Sequence, residues 1–254
     1  MQILFQTDQN ITDYQILKEI LIHSKYLHSC VDISLKEFQN SSDMYCDYKD
    51  YIPIGTLEFV RTWLNKYHPG VEMTPIEIPE CLQMPPFLKR KYQKTKANGI
   101  PSFLPCFVKD ATVLKSFHGI LYSHSEWLRE LKPDHVYIVS EPLDIVAEYR
   151  IYVIDGEIDN VCNYNGDVTV FPDMDLVRMA VAKYGLEENA PKSYTMDVMI
   201  SKQNGTELLE IHPFCAVGLY STLWGQNLLY AYRDGIDYYI KNFQKQRKTK
   251  KNNI

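Results

Sequence analysis

The sequence predicts an α/β protein, with α+β organisation after the front of the chain, and three observations carry that reading. Short apolar strands alternate with amphipathic helices through residues 1–70. Two later stretches are strand pairs joined by tight-turn dipeptides, Asp155-Gly156 and Asn204-Gly205. Helical periodicity returns over residues 173–184 and 227–243.

Taken in order, residues 1–6 alternate as a strand, and Thr12-Asp13-Tyr14-Gln15 has the capping-box pattern that opens a helix. Ile16, Leu17, Ile20, Leu21 and Leu27 then recur at helical spacing. A second strand, Tyr51-Ile52-Pro53-Ile54, leads through Gly55-Thr56 into a helix with Phe59, Val60, Trp63 and Leu64 on one side, ended by His68-Pro69-Gly70. Pro75, Pro79, Pro85 and Pro86 break regular structure between residues 74 and 88, which reads as a linker. A basic helix is expected over residues 87–98, stopped by Gly99 and Pro101. A strand at 104–109, a helix near 125–131 and a strand at 135–139 follow, interrupted by Ser140-Glu141-Pro142. Then come a hairpin at 147–158, a helix at 173–184, a hairpin at 193–213 and an aromatic-rich helix at 227–243. The closing run QKQRKTKKNNI is expected to be a frayed, solvated end. The domain boundaries expected are 1–85 for the α/β front, 86–139 and 140–244 for two further units, and 245–254 for the basic tail.

Composition narrows the function classes. With 254 residues, 45% of them hydrophobic and 23% charged, the chain can bury a large core. A net charge of −5 opposes a general nucleic-acid or anionic-membrane binder. The opening MQILFQTDQN lacks the basic and apolar runs of a secretory signal, and no stretch reaches the roughly 18 apolar residues of a membrane span. Cysteines 30, 46, 81, 106, 162 and 215 show no C-x-x-C pair, so reduced, mostly buried thiols in a cytoplasmic protein are expected. The 19 tyrosines have no regular spacing that would make a base-stacking platform.

The segment SYTMDVMISKQNGTELLEIHP carries the most chemistry. Asp197 lies between Met196 and Val198, and Glu210 between Leu209 and Ile211, each where a strand would place an apolar residue. His212 follows Glu210 by two positions, so both share a strand face, and an antiparallel partner can bring Asp197 to it. Two carboxylates and a third ligand on a rigid hairpin can seat a hard divalent cation, which suggests phosphate chemistry. A satisfied core histidine is the plainer reading of His212. Glu148 and Arg150 also share a strand face, as a functional pair or as a surface ion pair worth less than about 1 kcal/mol.

The order of these parts resembles the ATP-grasp ligase family over residues 87–241. The motifs that carry the resemblance read KRKYQKTKANGIP, CFVKD, KSFHG, VYIVSEP, AEYRIYVIDGEI, YTMDVMI and LLEIHPF. The flavour is that of glutamate ligases acting on ribosomal-protein tails and of short phage-associated relatives. The resemblance implies the ATP-grasp fold: two α+β lobes sandwiching ATP, here behind a small α/β domain. It implies that Lys109, at the end of an apolar strand, meets the α- and β-phosphates, with Arg90 or its neighbours Lys89 and Lys91 a second basic contact. Lys115 would lie in the loop over the phosphates, although KSFHG has one glycine where the family has a cluster. Phe117 could fold over the nucleotide instead. Backbone around Val139 would reach adenine, Glu141 the ribose and Glu148 the nucleotide pocket, while Arg150 would steady the transferring phosphate. Asp197, Glu210 and His212 match the magnesium positions, with His212 standing where the family has Asn. An imidazole supplies nitrogen, so the site either rests on the carboxylates, leans toward manganese, or turns His212 to substrate. The loop Gly218-Leu219-Tyr220-Ser221 falls where the family admits its acceptor amine.

The implied reaction is ATP-dependent ligation of a carboxylate to an amine through an acyl phosphate, with ATP and Mg2+ or Mn2+ as cofactors. Small-molecule or peptide acids and amines are the implied partners, with no membrane or nucleic acid, and a homo-oligomer remains open. Two alternatives stand: a nucleotide-binding regulator without chemistry, and a metal-dependent hydrolase on another fold. ATP binding without ADP release would mark the first, and tight zinc without ATP affinity the second.

Overall fold

The computed structural model describes residues 1–8, 17–19, 29–41, 47–117, 119–220 and 226–252. The expected capping box at residues 12–15 and most of its helix lie outside these; residues 17–19 are helical, and Leu17 is fully buried. Three sheets organise the rest.

The front sheet is parallel, with β1 (Gln2–Gln6) between β2 (Ser29–Ile33) and β3 (Tyr51–Ile54). A capping box of Ser34 and Glu37 starts α1 (Leu35–Asn40), and the Thr56 hydroxyl caps α2 (Leu57–Tyr67) by accepting from Phe59 N. The apolar stripe expected on α2, Phe59, Val60, Trp63 and Leu64, is the side it buries.

The central sheet has the order β4 (Tyr92–Lys96), β7 (Val136–Ser140), β5 (Cys106–Asp110), β6 (Ile120–Tyr122), all antiparallel. The basic helix expected at 87–98 is therefore corrected: its second half is the edge strand β4, followed by a 3-10 turn at Ala97–Phe103. Lys, Arg and Gln favour helices, but pairing with the apolar β7 outweighs that preference.

The third sheet runs β11 (Gly205–Pro213), β10 (Tyr194–Ser201), β8 (Ile145–Ile154), β9 (Glu157–Gly166), again antiparallel. Asp155 and Gly156 turn the β8–β9 hairpin at φ of 49° and 83°, the left-handed conformation that such two-residue turns require. The later hairpin differs slightly from the expected Asn204-Gly205 pair: Ser201 faces Gly205 across a three-residue loop, and Gly205 takes φ of 67° to close it. Helix α3 (Met174–Gly185), capped by Asp173, lays Leu176, Val177, Ala180 and Val181 on one face of this sheet. The other face is left for the site.

The long α4 (Gln226–Asn252) corrects the expectation of a frayed basic tail, since helix persists to Asn252. Its Lys and Arg residues are good helix formers, and cations suit a helix C-terminus. No described helix is long and apolar enough to cross a membrane. Among the described residues Cys106 and Cys215 are buried free thiols, and Cys30, Cys81 and Cys162 are half-buried ones.

Candidate functional site

Between the central and third sheets lies a cleft of about 270 Å3. Phe107, Val108 and Lys109 wall it from β5, Ile138 and Ser140 from β7, and Glu148, Met199, Leu209, Glu210 and Ile211 from the third sheet. Four residues, 141–144, connect the two sheets, and Glu141 and Leu143 edge the cleft there.

The hairpin register places the expected ligands as alternation demands. Asp197 faces Glu210 and Thr195 faces His212, so Asp197, Glu210 and His212 share the face turned to the cleft. Their ligand atoms lie within 4.8 Å of one another. Imidazole Nε2 of His212 is 3.0 Å from Glu210 Oε1 and 3.7 Å from Asp197 Oδ2. Burial lowers the His212 pKa to about 3, with the Lys109 ammonium acting in the same direction, so the ring stays neutral and keeps a nitrogen lone pair. Two carboxylates and a neutral imidazole at this spacing fit a divalent cation.

Each carboxylate also has a cation of its own. Lys109 reaches across from the central sheet to pair with Glu210, the contact that closes the cleft. Burial pulls the Lys109 ammonium down to about 8; Asp197 opposes this and Lys115 adds to it. Arg150, which faces Asp197 across the β8–β10 ladder, grips it with both prongs: Nε donates to Oδ1 at 2.8 Å and Nη2 to Oδ2 at 2.7 Å. Burial alone would lower the Arg150 pKa, but the Asp197 hydrogen bonds and charge outweigh it and raise it. The remaining prong donates to Gly218 O at 3.1 Å, and the guanidinium lies 4.8 Å from the Tyr220 ring centre and 5.5 Å from that of Tyr164. The acceptor-side loop thus rests on Arg150; Ser221 lies outside the described residues.

The other expected residues divide. Glu148 lines the cleft and accepts from Tyr164 Oη at 2.6 Å and Asn165 Nδ2 at 2.9 Å. Glu141 accepts from Lys91 N at 3.2 Å at the rim. Lys115, in the left-handed region at φ of 55°, lies beside Arg150 and Asp197 instead of lining the cleft; burial and then Arg150 lower its pKa. Two expectations need correction. Val139 turns its side chain away from the cleft into the core of the central sheet, since alternation gives the cleft to Ile138 and Ser140. Arg90, expected on phosphate, spends its guanidinium on Glu207 and on the carbonyls of Leu208 and Leu209. Phe117 packs toward Tyr137 in the central core, with ring centres 6.4 Å apart, instead of covering the cleft.

Sequence reasoning misses two clusters. Glu207 is fully buried as the partner of Arg90, and nothing in the sequence pairs residues so far apart. Asp110 ends β5 by accepting from Thr112 N at 2.7 Å, Val113 N at 3.1 Å, Ser116 Oγ at 2.7 Å and the His135 ring at 2.8 Å. The Asp-x-Thr spacing at a strand end is the legible signal for that turn.

A family model described as an ATP-grasp domain, the second family of its clade, matches residues 87–226. Among solved structures, the fold is similar to D-cycloserine synthetase DcsG, at 12% identity over 94% of this chain and 99% of that one, with a TM-score of 0.56. It is similar to ATP-grasp ligase PsnB, complexed with a phosphomimetic variant of minimal precursor, Mg and ADP, at 9% identity over 92% and 97%, with a TM-score of 0.55. It is also similar to D-alanine–D-alanine ligase from Bacillus anthracis complexed with ATP, at 15% identity over 98% and 99%, with a TM-score of 0.53. At these identities the structures attest the fold. No curated protein sequence gives a significant match. The family model covers more than half of the chain, and its residues include both walls of the cleft; this protein belongs to that ATP-grasp domain family.

Proposed function

We propose that this protein is an ATP-dependent carboxylate–amine ligase. The observation that carries the reading is the Lys109–Glu210 pair, which joins two facing sheets over the cleft with Asp197 and His212 beside it. A lysine from one wall and acids from the other suit a triphosphate and its cation.

In this reading adenine lies between the apolar walls of Ile138, Leu143, Met199 and Ile211, with backbone at residues 140–143 as its hydrogen-bonding edge in place of Val139. Glu141 takes the ribose at the rim, and Glu148 stays in the pocket wall. Lys109 exchanges Glu210 for phosphate oxygens as a point charge. Glu210 and Asp197 would hold magnesium or manganese, with His212 as a nitrogen ligand favouring the latter; the cation supplies charge neutralisation between phosphates. Arg150 and Lys115, at the far end, hold the transferring group in place.

The chemistry needs no protein nucleophile. A substrate carboxylate oxygen attacks the γ-phosphorus, the bond to the bridging oxygen breaks, and ADP leaves with that electron pair. The amine nitrogen then attacks the acyl carbon, the acyl C–O bond breaks, and phosphate departs with the pair and the amine proton. The printed names of the structural relatives include small-molecule and peptide ligases, and either acid class suits the open cleft.

The test is ADP release with pooled amino acids, small acids and peptides, with Glu210→Gln as control. Release that needs both an acid and an amine, and that Glu210→Gln abolishes, supports the ligase. ATP binding with no release under any pool would leave a regulator, and zinc retention without ATP affinity a hydrolase. Lys109→Met should keep the fold and lower turnover by about 10²- to 10³-fold, the usual loss for one fixed donor at a transferring charge. Unchanged nucleotide binding in that variant would remove Lys109 from the phosphates.

A further inference from the structure

Glu207 and Glu210 are three residues apart, a spacing that puts side chains on opposite faces of a regular strand. Both nevertheless reach the cleft side of β11: Glu207 faces Met199, Glu210 faces Asp197, and Met199 and Asp197 share one face of β10. The cause is one extra residue. Val198 pairs with Leu208 and Asp197 with Glu210, which leaves Leu209 as a bulge. Continuing the register set at the turn would instead oppose Leu209 to Asp197 and turn Glu210 toward Met196 and the α3 side. The candidate cation site exists only because of this bulge.

A bulge frees backbone acceptors from the ladder, and here one side chain satisfies them. Arg90 Nη1 donates to Leu208 O at 2.5 Å and to Glu207 Oε1 at 2.6 Å, and Nη2 donates to Leu209 O at 3.2 Å. Glu207 is 0% exposed and its second oxygen accepts from Asn204 Nδ2 at 3.0 Å. Lys89 fastens the same turn through the carbonyls of Asn204 and Thr206. A pair this buried gives little net stability over an apolar pair of similar volume, so folding alone is a weak reason for it.

We propose that Arg90 and Glu207 form a lock that holds the β11 bulge and thereby sets Glu210 and His212 opposite Asp197. Arg90 is then a positioning residue for the cation site, not a nucleotide ligand. The inference rests on reading Asp197, Glu210 and His212 as the cation seat.

Two variants of the full chain test it: Arg90→Met with Glu207→Leu, which removes both charges together, and Glu207→Gln, which changes one buried group outside the cleft wall. Three measurements are made on each and on wild type: backbone amide exchange, nucleotide-analogue affinity in EDTA, and Mn2+ affinity with the analogue present. The double variant should fold, bind the analogue in EDTA as wild type does, and bind Mn2+ about 10- to 100-fold more weakly, the usual loss when a supporting residue is removed. Faster exchange should be confined to residues 208–212. Wild-type Mn2+ affinity together with wild-type exchange at 208–212 would overturn the lock. So would weaker analogue binding in EDTA with that exchange unchanged, which would make Arg90 a nucleotide contact. Should the double variant fail to fold, Glu207→Gln decides on the same readouts. A wild type that binds no Mn2+ would sink the ligase reading, while exchange at 208–212 would still report on the bulge.

Discussion

Two carboxylates on buried strands are costly without partners, and the protein supplies each with a cation in place of solvent. Asp197 is 1% exposed and wholly engaged by Arg150, while Glu210, nearer the opening, holds Lys109. Binding of a triphosphate with a cation is therefore an exchange of partners: phosphate replaces carboxylate on Lys109, and the cation replaces lysine on Glu210. His212 sets which cation. His212→Asn restores an oxygen donor and should shift the ratio of apparent Mn2+ to Mg2+ affinity toward Mg2+, measured by titrating each metal against nucleotide binding; an unchanged ratio would take His212 out of the coordination sphere. The same variant has a pH signature. Lys109, Arg150 and Lys115 face the ring along with Asp197 and Glu210, and burial holds its pKa near 3, below the ordinary 6.5. Between those values the unfolded chain takes a proton that the folded chain refuses, so the native state loses stability as pH falls through that window. Denaturant melts at pH 7 and pH 4.5 should show wild type losing more stability than His212→Asn. At this scale Asp197, Glu210 and His212 were legible because strand alternation fixes faces. Arg90 and Val139 were not, because one depends on a bulge and the other on which side of a sheet is covered.

The element that follows Lys109 joins the front sheet to the site. Asp110 folds the chain back by taking two backbone amides, a hydroxyl and an imidazole, and the turn then drives Leu114 into the front-sheet core. From α2, Arg61 Nη2 donates to Leu114 O at 3.1 Å, and the next residue is Lys115. The front unit thereby helps to fix the angle at which Lys115 meets Arg150 and Asp197. Leu114→Ala should cost about 2–5 kcal/mol, as for other buried leucines, and should destabilise the front sheet although the residue lies between β5 and β6. Arg61→Ala should leave the melt close to wild type, speed amide exchange at residues 112–116, and raise the KM for ATP. Unchanged exchange there would detach the loop from α2. Hairpins and capped helices were readable because their turns and caps are local. Strand β4 was not: its side chains are those of a solvated helix, and only its partner β7 makes it a strand.

At the scale of the molecule, cores and sheets divide the chain differently. The front-sheet core takes in Tyr152 and Ile154 from β8, Phe214, and Leu228, Leu229, Tyr232, Ile236 and Tyr239 from α4, so α4 welds the front sheet to the third sheet. The proline-rich segment read as a linker likewise adds Ile76, Ile78, Leu82, Phe87 and Leu88 to the core between the third sheet and α3. The central sheet keeps a separate core around Ile100, Val108, Leu128 and Tyr137. Two mechanical bodies result: the front and third sheets together, and the central sheet, which meets them through the 141–144 connection, the Leu114 turn and the ion pair of Lys109 with Glu210. A ligand held between two bodies stabilises their closed arrangement, by about 2.7 kcal/mol at a hundred times its dissociation constant. Amide exchange across β4, β5 and β7 should therefore slow when nucleotide and cation are added, as one cooperative unit, while the core shared by the front and third sheets slows less because it is already locked. Uniform slowing through all three sheets would mean that the chain moves as a single body, and the cleft would then be a fixed socket and not a closing one.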